Sequence, residues 1–582
     1  MTDILFAVSR SPLSAPAGLR CLEARGRFFY WTGNAFENAG YVVLLYGDLY
    51  GDAVTPESVI AAYERHGESC FDGLDGDFSI ILYDKAADRV VAGRDKFGVK
   101  SLFYVQEDGL FAASNRAAAL AALRPQAVRP NLRRNLFYVA SHYRHIDAAA
   151  EETFYEGVFA VRQGCALVFQ NWTLSKSAYW RLGLMDLSGK DKACLADDFR
   201  GLLRDSVARR LSRSKNPVFM VSSGVDSSGV AALASAILGR KVPLITTVFE
   251  EDTEYNEAAE IVPLADKVAS VWHKLTVKGD GILGDVERIL QTANGPYYTI
   301  TQLMHYYLCR EARERGYDSV FGGLGGDEAS CGEIEEYLFY FADLRLRGER
   351  ERLAEDMKGW IEYHSHPLYP KSMEVLEAFF KKHIDFSRPG RYRLDMERFE
   401  RYFHVFRKDF REAYFRVPEL DFPYASYLRN KLHQDLFSEV IPCVLRAEEN
   451  NLDLFGLAGR LPYMDARVMT YGFSIPLSQK YVHGGTKAVA REAMKGILPD
   501  AVLNNFKKKG WNAPFDAWLK TYLSGSVADI LGSPTARQRS IYDLEAVRRL
   551  WDEHLNGRKN HMLFFWQFLN YEKWFSMKFP GS

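Results

Sequence analysis

Between Pro217 and Ile237 the chain reads PVFMVSSGVDSSGVAALASAI. A short apolar run of strand character stops at a cluster of serines, a glycine and an aspartate, and an Ala-rich helical stretch follows at once. Strand, polar turn and helix in direct succession are half of a βαβ unit, which commits this region to a parallel sheet. The surrounding sequence agrees. VPLITTVF reads as a second strand, YNEAAEIVPLADKVA as a helix and DSVFGG as a later strand, while CLADDFRGLLRDSVARRL ahead of them has helical spacing, and the chain helix from the turn is expected to start at Ser227. The expected fold class is α/β with a doubly wound sheet, and from about residue 335 onward a large helical part.

Residues 1 to about 180 have a different character. YVVLLYGDLYG and GDFSIILYDKAADRVVAGRDKFGVKSLFYV give short strands with turns at Asp84-Lys85 and Gly98, and GVFAVRQGCALVFQNWTL reads as strand–turn–strand about Gly164. The polar stretch 181–194 fits a linker. The expected division is a β-rich sandwich over 1–185 and an α/β domain over 190–582.

A chain of 582 residues with 47% hydrophobic and 26% charged residues has ample core for more than one domain. Its net charge of −1 argues against a global attraction to nucleic acid or an anionic membrane. No apolar run reaches the ~20 residues of a membrane span, and MTDILFAVSR lacks the basic region of a secretory signal. The cysteines at 21, 70, 165, 194, 309, 331 and 443 show no metal-ligand spacing. They read as reduced thiols of a cytoplasmic protein.

In a βαβ unit, ligands bind beyond the carboxyl ends of the strands, where helix N-termini attract phosphate. VSSGVDSS lies at such an end. Gly224 allows close backbone approach, Ser222, Ser223 and Ser227 offer hydroxyls, and Asp226 implies a bridging cation, Mg²⁺, because a bare phosphate would repel it. Simple N-capping is the competing explanation, although a cap needs only one such residue. A second glycine-rich turn, VFGGLGGDEASCGE (320–333), again ends a strand and carries acids, which a solvated turn would also explain.

The first turn resembles the SGGxDS loop of the ATP pyrophosphatase superfamily, with Ser223 at the first glycine. It lacks the GK[ST] of a kinase-type loop. The second resembles the SGxGxDE loop of asparagine synthetases. AGRLPYMD (458–465) is similar to their E-x-R-x-P-F-x-D segment and KKKGWNAPFDAWL (507–519) to their K-x-G-F-x-x-P segment, while GDFSIILYD and GRDKFGVKSLFY match their amino-terminal half. The chain is identified as a member of the asparagine synthetase family. The resemblance implies an Ntn-hydrolase-like glutaminase-type domain followed by an ATP-pyrophosphatase domain.

By the same resemblance Ser222, Ser223, Gly224, Val225 and Ser227 cradle pyrophosphate, Val221 is counted with them among the ATP-binding residues, and Val248, Gly322 and Gly323 line the AMP pocket. Asp226 and Asp327 hold Mg²⁺, and Lys508 steadies the charged transition states, unless it is only a solvated member of the 507–509 run. Lys487 and Arg491 face the phosphates or form a surface pair.

The chain departs from the family at Thr2-Asp3, where glutamine-dependent members carry Cys-Gly, so glutaminase activity is expected to be absent. It departs again at Leu324, where asparagine synthetases have Glu and β-lactam synthetases Tyr, and at Ala458, where Glu is usual. The branch that tolerates these losses is the lasso peptide cyclases. The expected reaction is therefore adenylation of an Asp or Glu side chain with ATP and Mg²⁺, followed by attack of a peptide N-terminal amine. Expected partners are a precursor core peptide, a leader-binding protein and a leader peptidase. An ammonia-dependent asparagine synthetase, a β-lactam-type synthetase, a non-catalytic ATP-binding scaffold and, more remotely, a tRNA-thiolating enzyme are the alternatives.

Overall fold

The structure is a computed structural model that describes residues 3–13, 18–32, 34–51, 55–124, 128–142, 145–149, 151–249, 255–333, 335–363, 371–506 and 513–580. Two six-stranded antiparallel sheets form the amino-terminal part. In one, Leu5–Ser9 lies between Leu110–Ser114 and Arg27–Thr32, and in the other Gly76–Asp84 lies between Arg89–Arg94 and Tyr41–Leu49. Strand alternation explains the stacking. Ile4, Phe6 and Val8 face Leu44, Tyr46, Ile81 and Tyr83 between the sheets, while Leu5 and Ala7 point outward to a helical layer. Val43, Ile80 and Leu82 on the far side of the second sheet cover Val59 and Ile60 of helix Pro56–His66. The result is the helix–sheet–sheet–helix layering expected of an Ntn-type domain.

The second part is built on five parallel strands in the order Ala269–Thr276, Val242–Val248, Pro217–Met220, Ser319–Phe321, Ala458–Arg460. Alternate residues serve opposite faces. Val218 and Met220 pack with Leu308 and Leu452, whereas Phe219 and Val221 pack with Leu203 and Leu233. Strand order reverses between Pro217–Met220 and Ser319–Phe321, so both glycine-rich turns open at the switch point where such sheets bind ligands. The carboxy-terminal helices, including Ile441–Phe455 and Met562–Lys578, complete the α/β fold.

Four local expectations change. The hairpin turn is at Asn171 and Trp172, both at positive φ (50° and 60°), which suits a two-residue connection between twisted strands. Gly164 instead marks where the chain passes from Phe159–Ala160 in one sheet to Cys165–Gln170 in the other. The stretch 181–194 is cut short because Asp191 caps helix Lys192–Leu211 by accepting from the Cys194 N–H. The helix after the first turn begins at Val225 rather than Ser227, with Gly224 at its cap. Ala458–Arg460, within a region read as helical, supplies the fifth strand.

The two parts are joined by buried polar contacts. Ser101 donates its N–H to Glu449 Oε1 (2.9 Å), and its hydroxyl donates to Glu449 Oε2. Arg116 pairs with Asp453 (2.8 Å), Arg210 with Asp77 (3.2 Å), and Arg460 with Asp48 (2.5 Å). With Ala458 in place of an acid, Arg460 thus finds its carboxylate on the other domain. All seven cysteines are free thiols. Among the described residues no helix is long and apolar enough to cross a membrane.

Candidate active site

The first turn is knitted by its own side chains. Ser222 N–H donates to Ser227 Oγ (3.0 Å), Gly224 N–H donates to Ser222 Oγ (3.3 Å), and Ser223 N–H donates to the buried Glu257 carboxylate (3.0 Å). The second turn packs directly on it. A Cβ on Gly323 would stand 2.6 Å from the Ser227 nitrogen, and one on Gly326 would overlap the Asp226 carboxylate. Glycine is required at 323 because two backbones meet, and at 326 because the Asp226 side chain fills the space.

Asp226 and Asp327 sit in the first turns of the helices that follow these loops. Both pair with the Lys487 ammonium, Asp327 Oδ1 at 2.6 Å. Lys487 reaches them from the cap of helix Ala488–Ala493, in a left-handed conformation (φ 58°). Arg491 on that helix donates to the carbonyls of Thr486, Leu503 and Asn505 and lies 4.2 Å over the Phe506 ring. Burial lowers its pKa to about 10, against the opposing pull of Asp226. Lys487 and Arg491 are therefore site residues and not a surface pair.

These groups wall a cavity of about 350 Å³. Of the residues expected from the sequence, Ser222, Ser223, Gly224, Val225, Asp226, Ser227, Gly322, Gly323 and Asp327 line it, and so does Leu324. Val221 is not in the wall, being buried in the core behind the loop. Val248, at the end of its strand, is not in the wall either. Lys508 and Thr2 lie outside the described residues.

Sequence reading missed Glu257, Glu328 and Glu448. Burial, then the neighbouring Asp327 charge, raises the Glu328 pKa. Glu448, from helix Ile441–Phe455, shares the cavity with Leu324 and lies 3.6 Å from His305 Nε2. Burial pushes its carboxyl up to about 7, with Lys100 of the sandwich domain opposing the rise. Burial drives His305 down to about 3, so this imidazole is neutral and brings no charge to the pair. Only the rotation of the helix distinguishes Glu448 from Glu449, which turns instead to Ser101.

Two carboxylates converging on one ammonium show that the loops present a common cation position. An all-oxygen pair, completed by phosphate oxygens and water, is the donor chemistry that Mg²⁺ takes, so Asp226 and Asp327 fit as its ligands. Bound there, the ion would neutralise charge on the phosphates.

Glycine-rich loops with paired carboxylates, at the switch point of a parallel sheet behind an Ntn-type sandwich, define an ATP-dependent ligase that activates a carboxylate. The chain belongs to the asparagine synthase family, whose model matches residues 198–576. A glutamine amidotransferase domain model matches residues 50–180. Members of the family are ATP-dependent carbon–nitrogen ligases that form AMP and pyrophosphate. A putative glutamine-hydrolysing asparagine synthetase of Mycobacterium bovis is 24% identical, over 89% of this chain and 79% of that protein. The amidase chry2 of Gibberella zeae is 23% identical, over 86% and 79%. The glutamine-hydrolysing asparagine synthetase 3 of Bacillus subtilis is 22% identical, over 80% and 73%.

Proposed function

We propose that this ligase joins a peptide's N-terminal amine to an adenylated Asp or Glu side chain of the same peptide, closing a macrolactam as lasso peptide cyclases do. The observation that carries the reading is the cavity wall at Leu324. A hydrocarbon stands on the loop that faces the reacting groups, and the titratable side chain Glu448 faces the same space.

In the first step a substrate carboxylate oxygen attacks the α-phosphorus of ATP, the bond to the β-phosphate oxygen breaks, and pyrophosphate leaves. The backbone and hydroxyls of Ser222–Ser227 receive the pyrophosphate. In the second step the neutral amine attacks the acyl carbon and AMP leaves with the electron pair of the broken acyl–oxygen bond. The amine must also lose a proton. A peptide α-amine has a pKa of about 7.7–8.0, so much of it is neutral near pH 7.5, and an acceptor with a pKa near 7 is matched to the task. Glu448 supplies that acceptor, which removes the need for an acid or phenol at 324. Free ammonia is mostly protonated at this pH and would gain more from a base on the loop. Holding amine and acyl carbon together supplies several kcal/mol of the remaining barrier.

The experiment combines the purified protein with ATP, Mg²⁺ and a leaderless core peptide bearing N-terminal Gly and an internal Asp or Glu. The expected products are AMP, pyrophosphate and a peptide lighter by one water. N-terminal acetylation should stop ring closure while pyrophosphate release persists. The names of the relatives favour a second reading, asparagine synthesis from ammonia. Efficient conversion of aspartate and ammonium to asparagine, with peptides inert, would put that reading in place of the first. In the cyclase reading the cellular partners are a leader-binding protein and a leader peptidase, which adjacent genes would encode.

A further inference from the structure

A second cavity, of about 250 Å³, lies among the carboxy-terminal helices. Leu338 and Phe339 of helix Glu336–Arg347, Trp360 of helix Arg350–Tyr363, Val375 and Phe379 of helix Met373–His383, and Tyr392 form its apolar wall. Phe339 makes edge-on ring contacts with Phe379 (5.3 Å) and Tyr392 (4.8 Å), so the wall is a fixed aromatic frame. Two donors buried in that frame, Trp360 Nε1–H and Tyr392 O–H, have no hydrogen-bond partner among the described residues.

The lining carries Arg393, Arg398 and Lys431 against Glu335, Asp395 and Glu439, with His145 3.9 Å from Glu439 and with His383, whose pKa burial lowers so that it adds no charge near neutral pH. Lys431 is itself held by Asp435 (2.5 Å) and Glu439 (3.0 Å). The cavity therefore selects for no net charge. Its volume is below the ~300–1,000 Å³ of sites that enclose a whole small ligand, and it suits one large side chain. It also adjoins the first cavity along the chain, by one residue at one place and by two at another. Glu439 lines the second and Val440 the first, and Glu335 lines the second and Glu333 the first.

We propose that this cavity is a substrate subsite that takes an uncharged aromatic side chain of the peptide being activated next door, packed against the frame of Phe339, Phe379 and Tyr392. The subsite rests on the peptide-ligase reading and names part of its specificity. Seating a remote side chain would hold the reactive carboxylate over the phosphates, since binding energy away from the reacting atoms can be spent on their orientation.

The test uses the full chain and two neutral probes, N-acetyl-phenylalaninamide and N-acetyl-alaninamide, titrated by calorimetry. The phenylalanine probe should bind at least tenfold more tightly. Val375 and Phe379 are half-buried and one helical turn apart, so V375W should fill the cavity and F379D should charge it without emptying the core. Each variant, with melting temperature near that of the parent, should lose at least tenfold of the phenylalanine-probe affinity. ATP–pyrophosphate exchange driven by a peptide without aromatic residues should be unchanged in both. Equal binding of the two probes by the wild type, or phenylalanine-probe binding unaltered in a folded variant, overturns the subsite. If probe selectivity holds but no peptide supports pyrophosphate exchange, the cavity's preference for an aromatic side chain stands, while the ligase reading and the substrate role drawn from it fall.

Discussion

The Lys487 ammonium lies 2.6 Å from Asp327 Oδ1 and pairs with Asp226 as well, so one cation bridges the carboxylates of two loops that meet only in the folded sheet. The arrangement makes Lys487 the placeholder of a cation site, and its removal should be felt first in stability.

Lys487→Met would leave two poorly solvated carboxylates facing each other. Breaking a buried pair from one side costs on the order of 3 kcal/mol, reduced here because Asp327 is about a quarter exposed. The variant should melt below the wild type without Mg²⁺ and gain more from added Mg²⁺ than the wild type does. Thermal scans with and without Mg²⁺ check this. An equal Mg²⁺ response in both proteins would place the metal elsewhere.

Asp226→Asn and Asp327→Asn keep side-chain volume and remove charge. Each should lower ATP–pyrophosphate exchange by about two orders of magnitude, the scale of one lost electrostatic contact in a preorganised site. Near wild-type exchange in both folded variants would be incompatible with the assigned cradle.

Glu448 should appear in the pH profile. A carboxyl raised by burial to about 7 acts as a base only when ionised, so turnover should fall as pH drops through about 7. In Glu448→Gln that limb should vanish, leaving the limb of the peptide amine near 7.7–8.0. An unchanged profile would mean the proton goes elsewhere.

Leu324→Glu should not accelerate turnover, because a carboxylate placed beside the adenylate adds desolvation cost where Glu448 already takes the proton. A faster variant would argue for the asparagine-synthetase mechanism. In the same assays glutamine should yield no glutamate above background, and glutamate production abolished by Thr2→Ala would show the sandwich domain to be a glutaminase after all.

Asp226 and Asp327 could be read from sequence because each follows its strand within one loop, where residue type and position are tied by local geometry. The order of elements around them could be read for the same reason. Lys487 and Glu448 could not be assigned, because their approach depends on how helices distant in sequence rotate against the sheet. Asn171–Trp172 hid as a turn because a tryptophan at positive φ carries no turn signature, whereas Gly164 carries one and does a different task. Ala458–Arg460 is too short to show a period and is a strand only because Ser319–Phe321 offers it an edge.

Glu449 is buried and its carboxylate is met by Ser101 from the other domain, while the preceding residue on the same helix, Glu448, faces the cavity. Arg210, equally buried, shares its charge between Asp77 of the sandwich (3.2 Å) and Asp465 of its own domain (3.6 Å). In evolutionary terms the amino-terminal sandwich would not be free to be lost even if its own chemistry were not used. A lineage that deleted it would leave the Glu449 carboxylate without Ser101 and the Arg210 guanidinium with Asp465 alone, and would loosen the helix that aims Glu448. Selection on the ligase alone would then suffice to hold the docking face of the sandwich, and a comparison of related chains should find its outward surfaces more variable.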